Sequence, residues 1–489
     1  MPEPHKTSEL WTRRRTLKWG SACVVGSLLS QPLGAAEEPA GDGVPHQATG
    51  FKIGEVTDRS AIVWVRLTRE KERLAGDEVA LKALTGKKDG TADAARLPGA
   101  CPAAAGSVRV LYGPREDFAG SKSTEWVAVN AAGDGSHQFA LTDLPADALL
   151  HVRVEARSAA GSASPTVLQG RFRTAPAASA DVPVTGVVLG CHLYEKRDHA
   201  DGFAAYAAVS ALAPHFIVQT GDNVYYDRDI GPFATNLPLA RWQWERMFSL
   251  PRHRALLESV ASYWEKDDHD LLKNDCWPGA KFGMLTFADG QKIFREQVPS
   301  SPLPYRTFRW GRNVQVWLVE GRDYRSDNTV ADGPGKTIWG AEQLAWLKQS
   351  MLASDAQWLI LCSPTPIVGP DRKNKNDNHA NEGFQHEGDA IRAWFKEHVA
   401  RRLVIINGDR HWQYHSVHPV TGLHEFSAGP TSNGLAEGSP GLDPVYHRFH
   451  RVRGGFLTFS AATEQGVPAL TVRHHNTDGT VAYSHRFAQ

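Results

Sequence analysis

Gly221-Asp222-Asn223-Val224-Tyr225-Tyr226-Asp227 follows directly on the apolar run Phe216-Ile217-Val218. A short apolar run bounded by turn residues reads as a buried strand, so Asp222 and Tyr225 fall in the loop at its end. Ligands bind outside such strand ends in α/β sheets. A carboxylate able to bridge two cations, with a phenol three residues on, is the start of a metal centre. Three more apolar strands stop in similar chemistry. Val187-Val188-Leu189 runs into Gly190-Cys191, Tyr263-Trp264 leads to Asp267-Asp268-His269-Asp270, and Leu403-Val404-Ile405-Ile406 ends in Asn407-Gly408-Asp409-Arg410-His411.

The surrounding chain has 489 residues; at about 150 residues per domain that predicts two or three domains. Lysine plus arginine equals aspartate plus glutamate at 54 each, so overall charge gives no nucleic-acid-binding signal and any anion specificity is local. Thr12-Arg13-Arg14-Arg15-Thr16-Leu17-Lys18 matches the twin-arginine export pattern, with Thr16 at a usually aromatic position. The apolar stretch after it, about 12 residues, is too short to span a bilayer, and Gly34-Ala35-Ala36 supplies small residues for cleavage. Residues 1–36 are therefore expected to be a signal peptide, and the mature protein periplasmic or secreted by the twin-arginine machinery, with no transmembrane segment. Cys101, Cys191, Cys276 and Cys362 remain in the mature chain, and their irregular spacing supports no disulfide framework, although a Cys101–Cys276 pair is conceivable.

Residues 45–177 read as a β-sandwich: short alternating runs such as Ala61 to Leu67, Ser107 to Tyr112 and Leu150 to Ala156 are separated by Gly, Pro and Asp turns. They resemble a fibronectin type III-like module, with Trp64 as its buried tryptophan and Arg73 to Ala105 as a loop insertion. From residue 183 to 489 strands alternate with helical patterns at Phe203 to Leu212, Ala341 to Met351 and Gly388 to Ala400, which predicts an α/β domain with its site at the strand ends. The last stretch, Gly455 to Arg486, returns to β.

With Cys191, Gly221-Asp222-Asn223-Val224-Tyr225, Trp264 with Asp267-Asp268-His269-Asp270, Asn274-Asp275 and Gly408-Asp409-Arg410-His411 in this order, the chain resembles the alkaline phosphatase D (PhoD-like) branch of the metallophosphoesterases. The resemblance implies an α/β/β/α sandwich after the N-terminal β-sandwich, and a phosphoester hydrolase acting on monoesters, diesters or both. A dinuclear centre needs a bridging carboxylate, terminal ligands and a histidine that binds no metal. Asp222 would bridge. Cys191, Tyr225 and His411 would complete a transition-metal site, for which the resemblance implies ferric iron. Asp268 and Asp409 would supply a hard-cation site, for which it implies calcium. A metal-bound hydroxide would attack phosphorus in line while His269 stabilises the transition state or protonates the departing alkoxide. Cys191 and Asp409 depart from the D-x-H and G-H-x-H of the wider group, so its zinc or manganese assignments do not transfer.

Each residue alone has a commoner structural use: Asp222 as a turn former, Cys191 and Tyr225 as packing, Asp268 as a helix cap, His411 as a surface histidine. Their joint occurrence at four strand ends is what favours the metal reading. Asn274 is a further candidate, as an outer ligand or a loop brace, and Asp270 as a partner of a ligand or of His269. Arg322 reads as structural, the segment 374–387 as either a substrate mouth or a solvated lid, and His415, His418 and His424 as incidental. Two alternatives stand beside the hydrolase reading: a phosphodiesterase specialised for phospholipid or cell-wall polymer, and a non-catalytic exported binding protein.

Overall fold

Strand residues of the second half point alternately into two hydrophobic layers. Val188, Phe216, Val218 and Tyr263 join one core, while Val187, Leu189, Ile217 and Trp264 join another; likewise Ile360, Cys362, Val404 and Ile406 alternate with Leu359, Leu361, Leu403 and Ile405. Period-two alternation with both faces apolar requires a sheet covered on both sides. The computed structural model describes residues 43–159, 161 and 164–488, and shows why. A nine-stranded sheet runs, in spatial order, Val481–Ala488, Val467–His475, Phe456–Glu464, Val184–Leu189, Phe216–Thr220, Ala261–Glu265, Phe51–Gly54, Ala61–Arg66 and Ser136–Leu141. A seven-stranded sheet runs Arg306–Trp310, Val314–Leu318, Trp358–Ser363, Leu403–Asn407, His424–Ser427, Gln413–Val417 and His447–Arg451. Their inner faces share one core. Helices Ala204–Leu212, Leu237–Phe248, Pro251–Leu257 and Phe287–Gln297 cover the outside of the first sheet, and Gly340–Ala353 with Gln385–His398 the outside of the second. The result is the α/β/β/α sandwich, in which Val184–Leu189, Phe216–Thr220 and Ala261–Glu265 are mutually parallel and end on one side.

The N-terminal β-rich region differs from a self-contained module. Phe51–Gly54, Ala61–Arg66 and Ser136–Leu141 belong to the nine-stranded sheet, joined by parallel pairing of Gly54 with Ser262. The remaining strands, Gly106–Gly113, Lys122–Ser123, Val127–Val129, Leu149–Arg157 and Thr166–Arg173, form a separate five-stranded sheet. Val63 and Val65 pack with Val108, Val110, Val152 and Val154 in the common core, so the sandwich has two layers but one of them is shared across the boundary expected at 177–183. Trp64 consequently faces outward from the sandwich, its indole donating to the Glu296 carbonyl at 2.8 Å, with Lys52 Nζ 3.6 Å above the ring. The insertion 73–105 docks as well: Cys101 N donates to Glu245 at 2.8 Å and Arg73 to the Tyr194 hydroxyl at 2.6 Å.

Cys101, Cys191, Cys276 and Cys362 are free, buried thiols. The twin-arginine stretch and the cleavage site, in residues 1–36, lie outside the described residues. Among the described residues no helix is long and apolar enough to cross a membrane.

Gly170 marks where the five-stranded sheet meets the rest. A Cβ there would collide with the Glu258 carbonyl, to which Arg171 N donates at 3.0 Å. Gly170→Ala should cost about 1–3 kcal/mol, as overpacking does, and an unaltered denaturation midpoint in that variant would show that the contact yields.

Candidate metal centre

Three of the strand ends carry a side chain on a left-handed residue: Cys191, Asp222 and Asp409 have φ of 55°, 53° and 60°. That conformation costs on the order of 1 kcal/mol for a residue with a Cβ, and non-glycine outliers cluster where structure serves a site. Gly221 precedes Asp222 at φ 89°, and a Cβ on it would stand 2.7 Å from Asp267 Cβ, so only glycine lets the second and third loops meet.

The side chains converge. Cys191 Sγ lies 3.6 Å from Asp222 Oδ2, and the Tyr225 hydroxyl lies 3.0 Å from the same oxygen and 3.3 Å from His411 Nε2. Ligand atoms of Cys191, Asp222 and His411 all fall within 4.8 Å of one another, as do those of Asp222, Asp267 and Asp409. Asp222 is common to both groups. Its Oδ1 and the Oδ2 of Asp267 are buried without a hydrogen-bond partner, a costly arrangement unless a cation takes those lone pairs. The sulfur, phenol and imidazole set fits a transition metal, and the all-carboxylate set fits a hard cation.

Electrostatics agree. Burial, then repulsion from Asp268, Asp267 and Asp270, raises Asp222 well above the usual carboxylate range against the pull of His269. Burial pushes Asp267 up to about 8 although Arg322 Nε stands 2.5 Å from its Oδ1. Burial and the neighbouring carboxylates raise the Cys191 thiol, burial with Asp222 and Cys191 raises the Tyr225 phenol, and burial lowers His411, keeping it neutral. Such acids give up their protons only when positive charge arrives.

Asp268, expected at the second site, forms a different group with Asp222 and His269, also within 4.8 Å. Its carboxylate already accepts from Asp275 N at 2.6 Å and His269 N at 2.9 Å and sits 3.5 Å from Arg322 Nη2. Asp267 is the less satisfied of the two, and sequence reasoning did not select it. The D-D-H-D run held both, with nothing to rank them.

His269 is held from behind. Its Nδ1 is 2.5 Å from Asp227 Oδ1, and Asp227 Oδ2 accepts from Asn274 N at 2.8 Å. Burial opposes its charging, but Asp268, Asp227 and Asp222 outweigh that and push it up to about 10. Asp227, the last residue of the quoted motif, was also missed. Asn274 thus contributes its backbone, while its side-chain amide donates to Asp275 at 2.6 Å. Asp270 is a brace: it accepts from Asn223 N at 2.8 Å, Val224 N at 3.2 Å and Asp267 N at 2.9 Å, tying the Asp222 loop to the next. Arg322 is buried between Asp267 and Asp268, and Arg410 between Asp371, Asp377 and Asp409. The segment 374–387 divides accordingly. Lys375 faces the site, whereas His379 is buried on Glu387 at 2.8 Å.

A cavity of about 240 Å³ opens above the group, lined by Asp222, His269, Asp409 and His411 with Arg228, Arg372 and Lys375 at its walls. Glu437 also lines the cavity and pairs with Arg228 at 3.1 Å, so the rim carries three cations and one carboxylate above an acidic floor, a balance that suits cations below and a phosphate above.

A family model described as PhoD-like phosphatase matches residues 187–479. Alkaline phosphatase D of Bacillus subtilis (strain 168) is 22% identical over 332 residues, 56% of this chain and 54% of that protein, so the chain spans about half the length of this curated relative. A solved structure of PhoD superposes with TM-score 0.69 at 16% identity, covering 93% of this chain and 91% of that one. A purple acid phosphatase from yellow lupin (Lupinus luteus) seeds gives TM-score 0.59 at 13% identity, covering 91% and 74%. At such identities the structural likeness concerns the fold.

Elemental analysis after dialysis should find Asp222→Ala stripped of metal altogether and Asp267→Ala depleted only in the hard cation. If Asp267→Ala keeps its full complement and Asp268→Ala does not, the carboxylates have exchanged roles.

Proposed function

Because the chain belongs to the PhoD-like phosphatase family, we propose that it is an exported, metal-dependent phosphoester hydrolase acting on phosphomonoesters, phosphodiesters or both. The observation that carries the reading is the Asp222 carboxylate, shared between a group with Cys191 and His411 and a group with Asp267 and Asp409, beside His269. Cys191, Asp222, Tyr225 and His411 would hold ferric iron. Asp222 with Asp409 and Asp267 or Asp268 would hold calcium. Bound there, the cations supply Lewis-acid polarisation and an activated water.

The chain supplies the rest. Arg228, Arg372 and Lys375 line the cavity and would draw an anionic phosphate group in and hold its outer oxygens. His269 carries a proton held in place through Asp227, and donates it to the departing alkoxide. Asp227 fixes the ring and its tautomer, and Asn274 N–H fixes Asp227. The twin-arginine pattern supports export of the folded, metal-loaded chain.

Release of p-nitrophenol from mono- and bis-p-nitrophenyl phosphate should be abolished by chelation and restored by iron with calcium. Turnover of neither ester by the loaded protein would leave an exported binding protein as the better reading, and turnover of the diester alone would favour the polymer-directed phosphodiesterase. Asp227→Asn should lower kcat about 10- to 100-fold, as loss of an orienting partner does, with metal content and KM retained. Metal loss in that variant would instead give Asp227 a structural role.

A further inference from the structure

Away from the strand ends that gather Asp222, three imidazoles meet between the two sheets. His415 and His424 come from adjacent strands of the seven-stranded sheet, and His485 from Val481–Ala488, the edge strand of the nine-stranded one. One nitrogen of each lies within 4.8 Å of the other two. His415 Nε2 is 2.9 Å from His424 Nδ1, and the His485 ring centroid stands 4.6 Å from that of His415 and 5.4 Å from that of His424. The Tyr483 hydroxyl, 3.0 Å from His415 Nδ1, fixes that ring and turns Nε2 towards its neighbours. Metal-binding histidines are oriented by an oxygen that accepts from the other ring nitrogen, and the Tyr483 hydroxyl stands where it can do so for His415.

The setting is apolar below and open above. His415 is buried and stacked on Phe426 at 4.0 Å, while Phe487 stands edge-on to His424 and His485 at 4.9 and 4.5 Å. His424 and His485 are half-buried, so an ion from solvent can reach them. Burial and the mutual repulsion of the imidazoles, with the exposed Arg448 nearby, push His415 down to about 2 and His424 to about 4. Both therefore present lone pairs at neutral pH. A neutral hydrogen-bonded pair explains His415 with His424; it gives no reason for a third imidazole from another sheet. Tetrahedral coordination at about 2.1 Å places ligand nitrogens about 3.4 Å apart; His415 Nε2 and His424 Nδ1 stand at 2.9 Å, and one nitrogen of each of the three rings lies within 4.8 Å of the others.

We propose that His415, His424 and His485 form a second metal site, separate from the acidic centre, that takes one divalent transition cation such as Zn²⁺ and clamps the edge strand to the facing sheet. Three imidazoles without an oxygen ligand select a borderline cation over calcium or magnesium, and water completes the coordination sphere.

The full chain, with its acidic centre loaded, is titrated with ZnCl₂ against a chromophoric chelator. The wild type should bind one equivalent more than His424→Gln or His485→Gln, and Tyr483→Phe should keep the stoichiometry with about 10-fold weaker affinity. Zn²⁺ should raise the melting temperature of the wild type and leave that of His485→Gln unchanged, with p-nitrophenyl phosphate turnover equal in both. His485 lies half-buried on an edge strand, so this variant decides the matter even if His424→Gln folds poorly. Equal Zn²⁺ equivalents in the wild type and His485→Gln would overturn the proposal.

Discussion

The Asp222 carboxylate is the point on which the structure turns. It is buried on a left-handed residue, within reach of a thiol, a phenol and further carboxylates, and one of its oxygens has no protein partner. Burying an unpaired charge is prohibitive, so its surroundings have to supply positive charge or keep the acids protonated. The protein supplies some. Arg322 neutralises Asp267 and Asp268 on one side, and Arg410 neutralises Asp371, Asp377 and Asp409 on the other. Neither guanidinium pairs with Asp222, and the remaining deficit is centred where cations would sit.

Rigidity follows from the same constraint. Asp270 clasps the backbone of the Asp222 loop, Gly221 allows that loop to touch Asp267, and Asp227 clasps His269. Each clasp joins the end of one parallel strand to the end of the next, so the spacing of the group is set by the 4.7–4.9 Å strand separation of the sheet. This is a template held by carboxylates that bridge one strand end to the next, in contrast to a site on mobile loops.

Much of this was legible in the sequence because it is local. Alternation of Val187 with Val188 and Ile405 with Ile406 between layers follows from period two, and the strand ends carried their own chemistry. What escaped is relational. Asp267 and Asp268 are neighbours with equal chemistry, both beside Arg322, and only the folded loop separates them: Asp275 N and His269 N bond Asp268 and leave Asp267 Oδ2 without a partner. Asp227 gains its role from a ring beyond the next strand. The N-terminal strands alternate as a sandwich should, yet nothing local says that Phe51–Gly54 pairs with Ala261–Glu265. His485 joins His415 and His424 only because two sheets face each other, while His418, nearer in sequence, turns aside to accept from Thr421 N at 3.2 Å.

The parallel pairing of Gly54 with Ser262 also governs how the molecule can be divided. Severed near residue 180, the C-terminal part would present Ala261–Glu265 as a raw border, its amides and carbonyls offered to any passing chain. That strand delivers Asp267 and His269, so dissection would damage the chemistry it set out to isolate. The two halves of this polypeptide therefore share one sheet, and a cut near residue 180 divides that sheet between two fragments.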